Sequence, residues 1–311
     1  MGAADHRPGR IAIVLSTFNG ERFLPRQLDS LLQQTHGDWR LYWRDDGSSD
    51  ATVELLEAFS RGPAAGRCVR VHAPAGRVGA TQSFMALLAA AGEEDAVAFA
   101  DQDDVWLPEK LARGCTALSA VARETPALYC ARQVLVDEEL HRLGVSFRLA
   151  RPPGFPMALT QNIATGCTVM LNRQSASLVA ASRAPPATVH DWWSYLLVSA
   201  AGGRLLVDDE PVVLYRQHSC NLVGAPHSAP RRAMAALRRG PGLFMTVFRQ
   251  HVAALWAQRH LLSRDAAAEV AAIRAALEGG MLQRARVLRR YALERQTGLE
   301  TLLFRWWFLI G

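Results

Sequence analysis

A chain of 311 residues, half apolar and 21% charged, has the balance of a globular protein: one large α/β domain with an appendage, or two modest domains. No uncharged apolar run of about 18 residues occurs, which excludes a bilayer-crossing helix, and residues 1–10 lack the apolar core of a secretory signal, so a cytoplasmic location is expected. Net charge is +6 but unevenly placed: from Arg231 onward 14 arginines face five acidic residues, a surplus of +9 that leaves about −3 to the first 230 residues.

In chain order, residues 11–15 form a short, β-branched apolar run that predicts a buried parallel strand. Ser16-Thr17-Phe18-Asn19-Gly20 reads as a loop, and 21–34 as a helix with Phe23, Leu24, Gln27, Leu28, Leu31 and Leu32 at helical spacing. Residues 39–43 predict a second strand running into Arg44-Asp45-Asp46-Gly47, followed by a helix over 51–60 with Asp50 as its N-cap. A third strand (69–72), a third helix (81–91) and a fourth strand (95–100) follow, the last ending at Asp101-Gln102-Asp103-Asp104. Such alternation predicts a mostly parallel, doubly wound sheet, with ligands beyond the carboxyl ends of the strands, where these acidic residues lie.

Further along, a helix is expected over 107–121, strands over Ala127–Val136 and 164–171, and a helix from His190-Asp191-Trp192-Trp193 to about 201. Two more strands (203–207 and 212–216) precede a Gly/Pro linker at 224–230. Residues 231–311 read as two or three helices broken near 240–242 and 279–280. The five cysteines (Cys68, Cys115, Cys130, Cys167, Cys220) are widely spaced without a CxxC pair, which argues for reduced thiols. Lys110 is the sole lysine, so the positive charge is nearly all arginine, whose fork suits phosphate.

Asp101 and Asp103, one residue apart at a strand end, can converge on a hard cation. Alone, such a triplet is more often a solvated loop. In order, however, STFNGERFLPRQLDSLLQQT, RDDGSSDAT, GATQSF, ADQDDVWLPEKL and HDWW resemble glycosyltransferase family 2, and DQDDVWLPEKL with HDWW…LYRQHSCN is similar to its rhamnosyltransferase-like branch, over about residues 10–222. The resemblance implies the GT-A fold (a Rossmann-like, mostly parallel central sheet flanked by helices), a nucleotide-sugar donor, a divalent cation (Mg²⁺ or Mn²⁺) and inversion at the anomeric carbon. By the same resemblance Thr17 and Asn19 belong to the loop approaching the nucleotide, and Asp45 and Asp46 to the pair contacting base and ribose. Gly79, Gln82 and Ser83 fall in a third nucleotide-side segment, where Arg77 replaces a common Asn.

Asp101 and Asp103 match the metal motif, with Asp101 also on the donor side and Asp103 favoured as direct ligand. Asp191 matches the general base, with a helix cap as its other reading; His190 stands where many relatives have Glu. Arg216 and His218 match a late segment reaching the diphosphate and the metal. Asp104, Trp106 and Trp192 are assigned to the acceptor pocket, Trp106 being equally suited to the core.

The expected organisation is a catalytic domain over 1–225 and a helical C-terminal extension over 231–311. Gln283-Arg284-Ala285-Arg286-Val287 departs from the Gln-x-x-Arg-Trp of processive synthases, so transfer of one sugar is expected. dTDP-L-rhamnose is the preferred donor and UDP-hexoses the alternative; the acceptor is a lipid-linked or surface glycan of lipopolysaccharide, O-antigen or exopolysaccharide type. The Arg- and Trp-bearing end, 304–310, suggests peripheral attachment to the inner face of the cytoplasmic membrane. Packing against the catalytic domain or a homodimer partner is the competing reading. No nucleic-acid motif is present. A sugar-phosphate nucleotidyltransferase would need a Gly-rich, Arg-bearing loop at 16–20, which has one glycine and no cation. A catalytically inactive nucleotide-sugar binder would have little reason to keep Asp101, Asp103 and Asp191 together.

Overall fold

The computed structural model describes residues 9–91, 94–218 and 241–311. Strands β1 (Ile11–Thr17), β2 (Trp39–Asp45), β3 (Cys68–Arg70) and β4 (Ala96–Ala100) are parallel in the order β3-β2-β1-β4. Apolar side chains on both faces of β1 explain its central place: Ile11, Ile13 and Leu15 join one buried cluster with helix α1 (Leu24–Leu32) and helix α2 (Thr52–Arg61). Ala12 and Val14 join the other with helix α3 (Ala80–Ala90). Helix α1 starts later than its apolar spacing suggested, because residues 20–23 turn first and Pro25 suits the opening turn. Asp50 accepts from the Thr52 amide at 3.0 Å, but the N-cap position itself is Ala51.

Past β4 the sheet turns mixed. Strand β8 (Met170–Asn172) runs antiparallel between β4 and β6 (Ala127–Val136), β6 pairs parallel with β9 (Arg204–Arg216), and β5 (Val105–Trp106) pairs antiparallel with β9. Strand β7 (Arg142–Val145) hangs on β6. The two strands expected over 203–216 are one, because a register shift opposite Ala131 and Arg132 absorbs the acidic stretch Asp208-Asp209-Glu210. The strand expected over 164–171 shrinks to β8, since Gly166–Thr168 coils into a 3₁₀ turn. Helices α4 (Lys110–Ser119), α5 (Arg173–Ala180) and α6 (His190–Ala200) cover this half.

The C-terminal helices are α7 (Pro241–Ala257), α8 (Arg264–Glu278), α9 (Met281–Arg290) and α10 (Gly298–Ile310). Ser263 caps α8 and Thr297 caps α10 through their side-chain oxygens. Phe248, Phe304, Trp307 and Phe308 lie in the same buried cluster as Val14, Phe84, Phe99 and Trp193, so these helices share the core of the sheet. Between α9 and α10, Gln296 accepts at Oε1 from the Ala150 and Arg151 amides at 2.8 and 3.0 Å and donates to the Arg151 carbonyl at 3.1 Å. The linker expected at 224–230, the break at residue 240, and Cys220 lie outside the described residues. Cys68, Cys115, Cys130 and Cys167 are unbridged. Among the described residues no helix is long and apolar enough to cross a membrane.

Candidate active site

The site grows from the carboxyl ends of β1, β2 and β4. Thr17 is 1% exposed and donates its hydroxyl to Asp45 Oδ1 at 3.1 Å. Exposed Asn19 takes φ +48°, a conformation asparagine tolerates better than most residues. Its Oδ1 accepts from the Ser49 amide at 2.9 Å, and its own amide donates to Ser48 Oγ at 2.8 Å. Asp45 Oδ2 accepts from the amides of Gly47 and Ser48 at 3.0 and 2.8 Å. The two loops are laced into one rim. Gly20 lets the acidic loop join them: a Cβ there would lie 2.4 Å from Gln102 Oε1, in the side chain that pairs with the Phe18 amide and carbonyl at 2.9 and 3.0 Å.

Beneath this rim Arg44 and Asp46 form a buried ion pair at 2.6 Å. Arg44 Nη2 donates to the carbonyls of Pro74 and Gly76 at 2.9 and 2.7 Å, while Asp46 accepts from the amides of Val78 and Gly79, both at 2.8 Å. Burial alone would raise the Asp46 pKa, but the two amides and the guanidinium outweigh it and hold the pKa below its ordinary value. The 74–79 segment is thereby fastened to the end of β2. A cleft of about 190 Å³ opens there, lined by Arg44, Asp45, Gly47, Arg70, His72 and Pro74.

Two expectations need correcting at this side. Asp46 is 3% exposed with both oxygens engaged, and Ser83 is fully buried, accepting from the Ser16 hydroxyl at 2.7 Å and Arg44 Nη1 at 3.2 Å. Both brace the rim from below, their polar atoms spent on Arg44, Ser16 and the backbone of 78–79. Asp45 borders the cleft, and Gly79, Gln82 and Arg77 are exposed beside it, Arg77 lying over the Phe18 ring at 3.8 Å. Arg70, His72 and Pro74 were not singled out from the sequence; the strand-end rule applied to β3 would have found them.

Strand β4 ends in half-buried Asp101. Burial, then the charges of Asp103 and Asp191, push its pKa up to about 8. Asp103 Oδ2 lies 2.7 Å from His218 Nε2. Buried Arg216, at the end of β9, donates Nε to the Asp103 carbonyl at 2.8 Å, Nη1 to the Glu138 carbonyl and its amide to Asp104 Oδ1 at 3.0 Å. Asp104 is fully buried, and burial with the charges of Asp103 and Asp101 raises its pKa well above the ordinary value.

Trp106 is 2% exposed, with Lys110 Nζ 3.5 Å from its ring centroid. The pocket role expected of Trp106 is therefore corrected to core packing. Asp104 is likewise buried, tying β9 to the acidic loop through the Arg216 amide. Fully buried Lys110, its pKa lowered to about 7 by burial, faces Asp101 and Asp104 electrostatically.

Asp191 occupies the first turn of α6, after Val189 at the N-cap position, which makes no side-chain cap. Its Oδ1 accepts from Asn162 Nδ2 at 3.1 Å and the Trp192 amide at 2.5 Å, and Oδ2 from the Gly166 amide at 2.8 Å. Burial lifts its pKa to about 6 against these hydrogen bonds. His190 is buried, stacked on Phe84 with centroids 3.8 Å apart, and burial lowers its pKa to about 3, so it is neutral. A Cβ on Gly166 would lie 2.8 Å from His190 Nε2, so this close approach requires glycine. Trp192 is half-buried and donates Nε1 to the Ala158 carbonyl at 2.8 Å. Neither Asn162 nor Gly166 stood out in the sequence.

Asp101, Asp103, Asp191, Arg216 and His218 thus meet in one place. Asp103 Oδ2 and His218 Nε2 are paired beside Asp101, and the donor atoms of Asp101, Asp104 and Cys167 lie within 4.8 Å of one another. Carboxylate oxygens gathered at the end of β4 suit a hard divalent cation of the Mg²⁺ or Mn²⁺ kind.

Comparison with known proteins bears on the family and the fold. The family model described as Glycosyl transferase family 2 matches residues 12–166. The dTDP-rhamnosyl transferase RfbG of Shigella flexneri is 26% identical over 222 residues, covering 68% of this chain and 74% of that one. The Escherichia coli UDP-Glc:alpha-D-GlcNAc-diphosphoundecaprenol beta-1,3-glucosyltransferase WfgD is 32% identical over 101 residues, or 32% of this chain and 38% of that one. The crystal structure of S. aureus TarS 1–349 in complex with UDP-GlcNAc superposes with a TM-score of 0.59 at 14% identity, covering 86% of this chain and 72% of that one, which is a likeness of fold. The family match stops before Asp191, Arg216 and His218, whose grouping with the acidic loop comes from the geometry.

Proposed function

The chain belongs to glycosyltransferase family 2 with a GT-A fold, and on that footing we propose that it moves a single sugar, with inversion, from a nucleotide-sugar to a glycan or lipid-linked acceptor in surface-polysaccharide synthesis. The observation that carries this reading is the approach of Asp191 to the acidic loop: its Oδ2 accepts from the Gly166 amide at 2.8 Å, and the thiol of the next residue, Cys167, lies within 4.8 Å of carboxylate oxygens of Asp101 and Asp104. dTDP-L-rhamnose is the proposed donor, supported by the similarity to a dTDP-rhamnosyl transferase, with UDP-hexoses second. The work is placed at the inner face of the cytoplasmic membrane.

In this reading the donor base enters the cleft beside Asp45, Arg70 and His72, under the rim held by Thr17 and Asn19. The diphosphate lies toward Arg216. A divalent cation on Asp101, Asp103 and His218 would neutralise the departing diphosphate when bound. Asp191, with a pKa of about 6, is ionised at neutral pH and accepts the acceptor hydroxyl proton as that oxygen bonds to the anomeric carbon. The bond from carbon to the diphosphate oxygen breaks on the opposite face. Asn162 and the Gly166 amide fix the carboxylate while the proton arrives.

A thermal-shift screen of nucleotide-sugars with Mg²⁺ or Mn²⁺ tests this directly, since a ligand that binds only the native state raises apparent stability by about 2.7 kcal/mol at a hundredfold excess over Kd. dTDP-L-rhamnose is expected to give the largest shift. No shift from any donor would overturn the reading.

A further inference from the structure

The last helix carries two apolar faces, and only one is spent on the core. Phe304, Trp307 and Phe308 are buried in the cluster shared with the sheet. Leu299, Leu302, Trp306 and Ile310 are 52–67% exposed, at spacings that place them in one stripe along the outward face of α10. Helix α9 extends this surface. Its Arg284 donates to the Phe308 and Leu309 carbonyls at 3.5 and 3.4 Å, fastening α9 to the last turn of α10, and Met281 and Leu282 at the start of α9 are exposed. Further along α9, Arg286, Arg289 and Arg290 are exposed.

We propose that the outward face of α10 and the amino-terminal turn of α9 form a docking surface for an anionic phospholipid bilayer. Contiguous exposed apolar side chains of this size mark a binding surface. A helix that presents leucine, isoleucine and tryptophan beside arginines lies flat in the headgroup layer, its apolar side chains entering the acyl boundary. The stripe runs from Leu299 to Ile310, about 16 Å at the helical rise, which suits lying flat. Charge favours lipid over a second copy of the chain: a symmetric contact sets a patch against itself, bringing the arginines together, whereas anionic headgroups meet them with opposite sign. This deepens the membrane-face location proposed above and rests on it only for the reason a membrane is visited.

The test is flotation of the full chain with vesicles of phosphatidylcholine, alone or mixed with phosphatidylglycerol, alongside light scattering and nucleotide-sugar hydrolysis without vesicles. The protein is expected to float with the mixed vesicles and to be released by salt. The double variant Leu302→Ser/Trp306→Ser should lose at least about tenfold in vesicle affinity with its thermal midpoint and hydrolysis unchanged. Arg289→Gln/Arg290→Gln should lose preference for the anionic vesicles while keeping its midpoint. Failure of the wild type to float with anionic vesicles, or undiminished flotation of the Leu302/Trp306 variant, overturns the proposal. So does a dimer in solution that this variant dissolves. Loss of hydrolysis in the wild type would instead overturn the transferase reading, whatever the flotation shows.

Discussion

A single carboxylate illustrates how burial sets chemistry. Asp191 loses solvation in the first turn of α6, which raises its pKa, yet three hydrogen bonds keep the rise to about 6. Below that pH the group is protonated and cannot take the acceptor proton; above it the group is an available base. The pH profile of kcat/KM should therefore rise through about 6 and level off above it, and a flat profile between pH 5 and 8 would contradict the assignment. Asn162 accounts for one of the three bonds. Asn162→Ala is expected to lower kcat by roughly tenfold with little effect on donor KM, measured in steady state. The carboxylates at 101, 103 and 191 were legible in the sequence because acids directly after apolar strands, or within an ordered motif, have a place in the fold. Which acids face a ligand was not. Asp46 looks like Asp45 in sequence, but the amides of Val78 and Gly79, more than 30 residues on, turn it into a buried brace. Trp106 likewise went to the core because Lys110, one helical turn later, folds over its ring.

At the scale of elements, the parallel half β3-β2-β1-β4 was readable because β1 and β4 bury apolar side chains on both faces and β1, β2 and β3 are each followed by a helix. The second half was less so. The 164–171 run looks like a strand, but the Gly166 amide is drawn to Asp191 and the chain coils there instead. The acidic centre of β9 hides a single strand behind a bulge. The nucleotide rim depends on one connection, in which Arg44 joins β2 to the 74–79 segment through two carbonyls and Asp46. Removing the guanidinium leaves Asp46 as a buried charge without its main partner. Arg44→Met should cost about 3–5 kcal/mol in denaturant unfolding and weaken donor binding; unchanged stability would show that the brace is dispensable.

Across the whole molecule, the Gly/Pro stretch at 224–230 suggested a catalytic domain followed by a helical extension, and the extension's buried aromatics lie in the sheet's own core cluster. Amphipathicity announced helices there without saying what would cover them. A chain ended after residue 240 would uncover Trp192, Trp193 and their neighbours, which pack against His251, so it should be recovered aggregated, or unfold without a cooperative transition; a stable monomer with the full chain's midpoint would contradict the shared core. The same sharing brings Gln296 against the 150–151 backbone, and Gln161 Oε1 accepts from the Gln296 amide, directly beside Asn162. The tail therefore supports the segment that steadies the proposed base.

The most direct test of the central claim is nucleotide release from dTDP-L-rhamnose and UDP-hexoses in Mn²⁺, followed for the wild type, Asp191→Asn and Asp103→Ala with donor affinity measured in parallel. The account predicts release by the wild type, at least about a hundredfold slower release by Asp191→Asn with donor affinity retained, and loss of both binding and release in Asp103→Ala. Release by Asp191→Asn at the wild-type rate would contradict it.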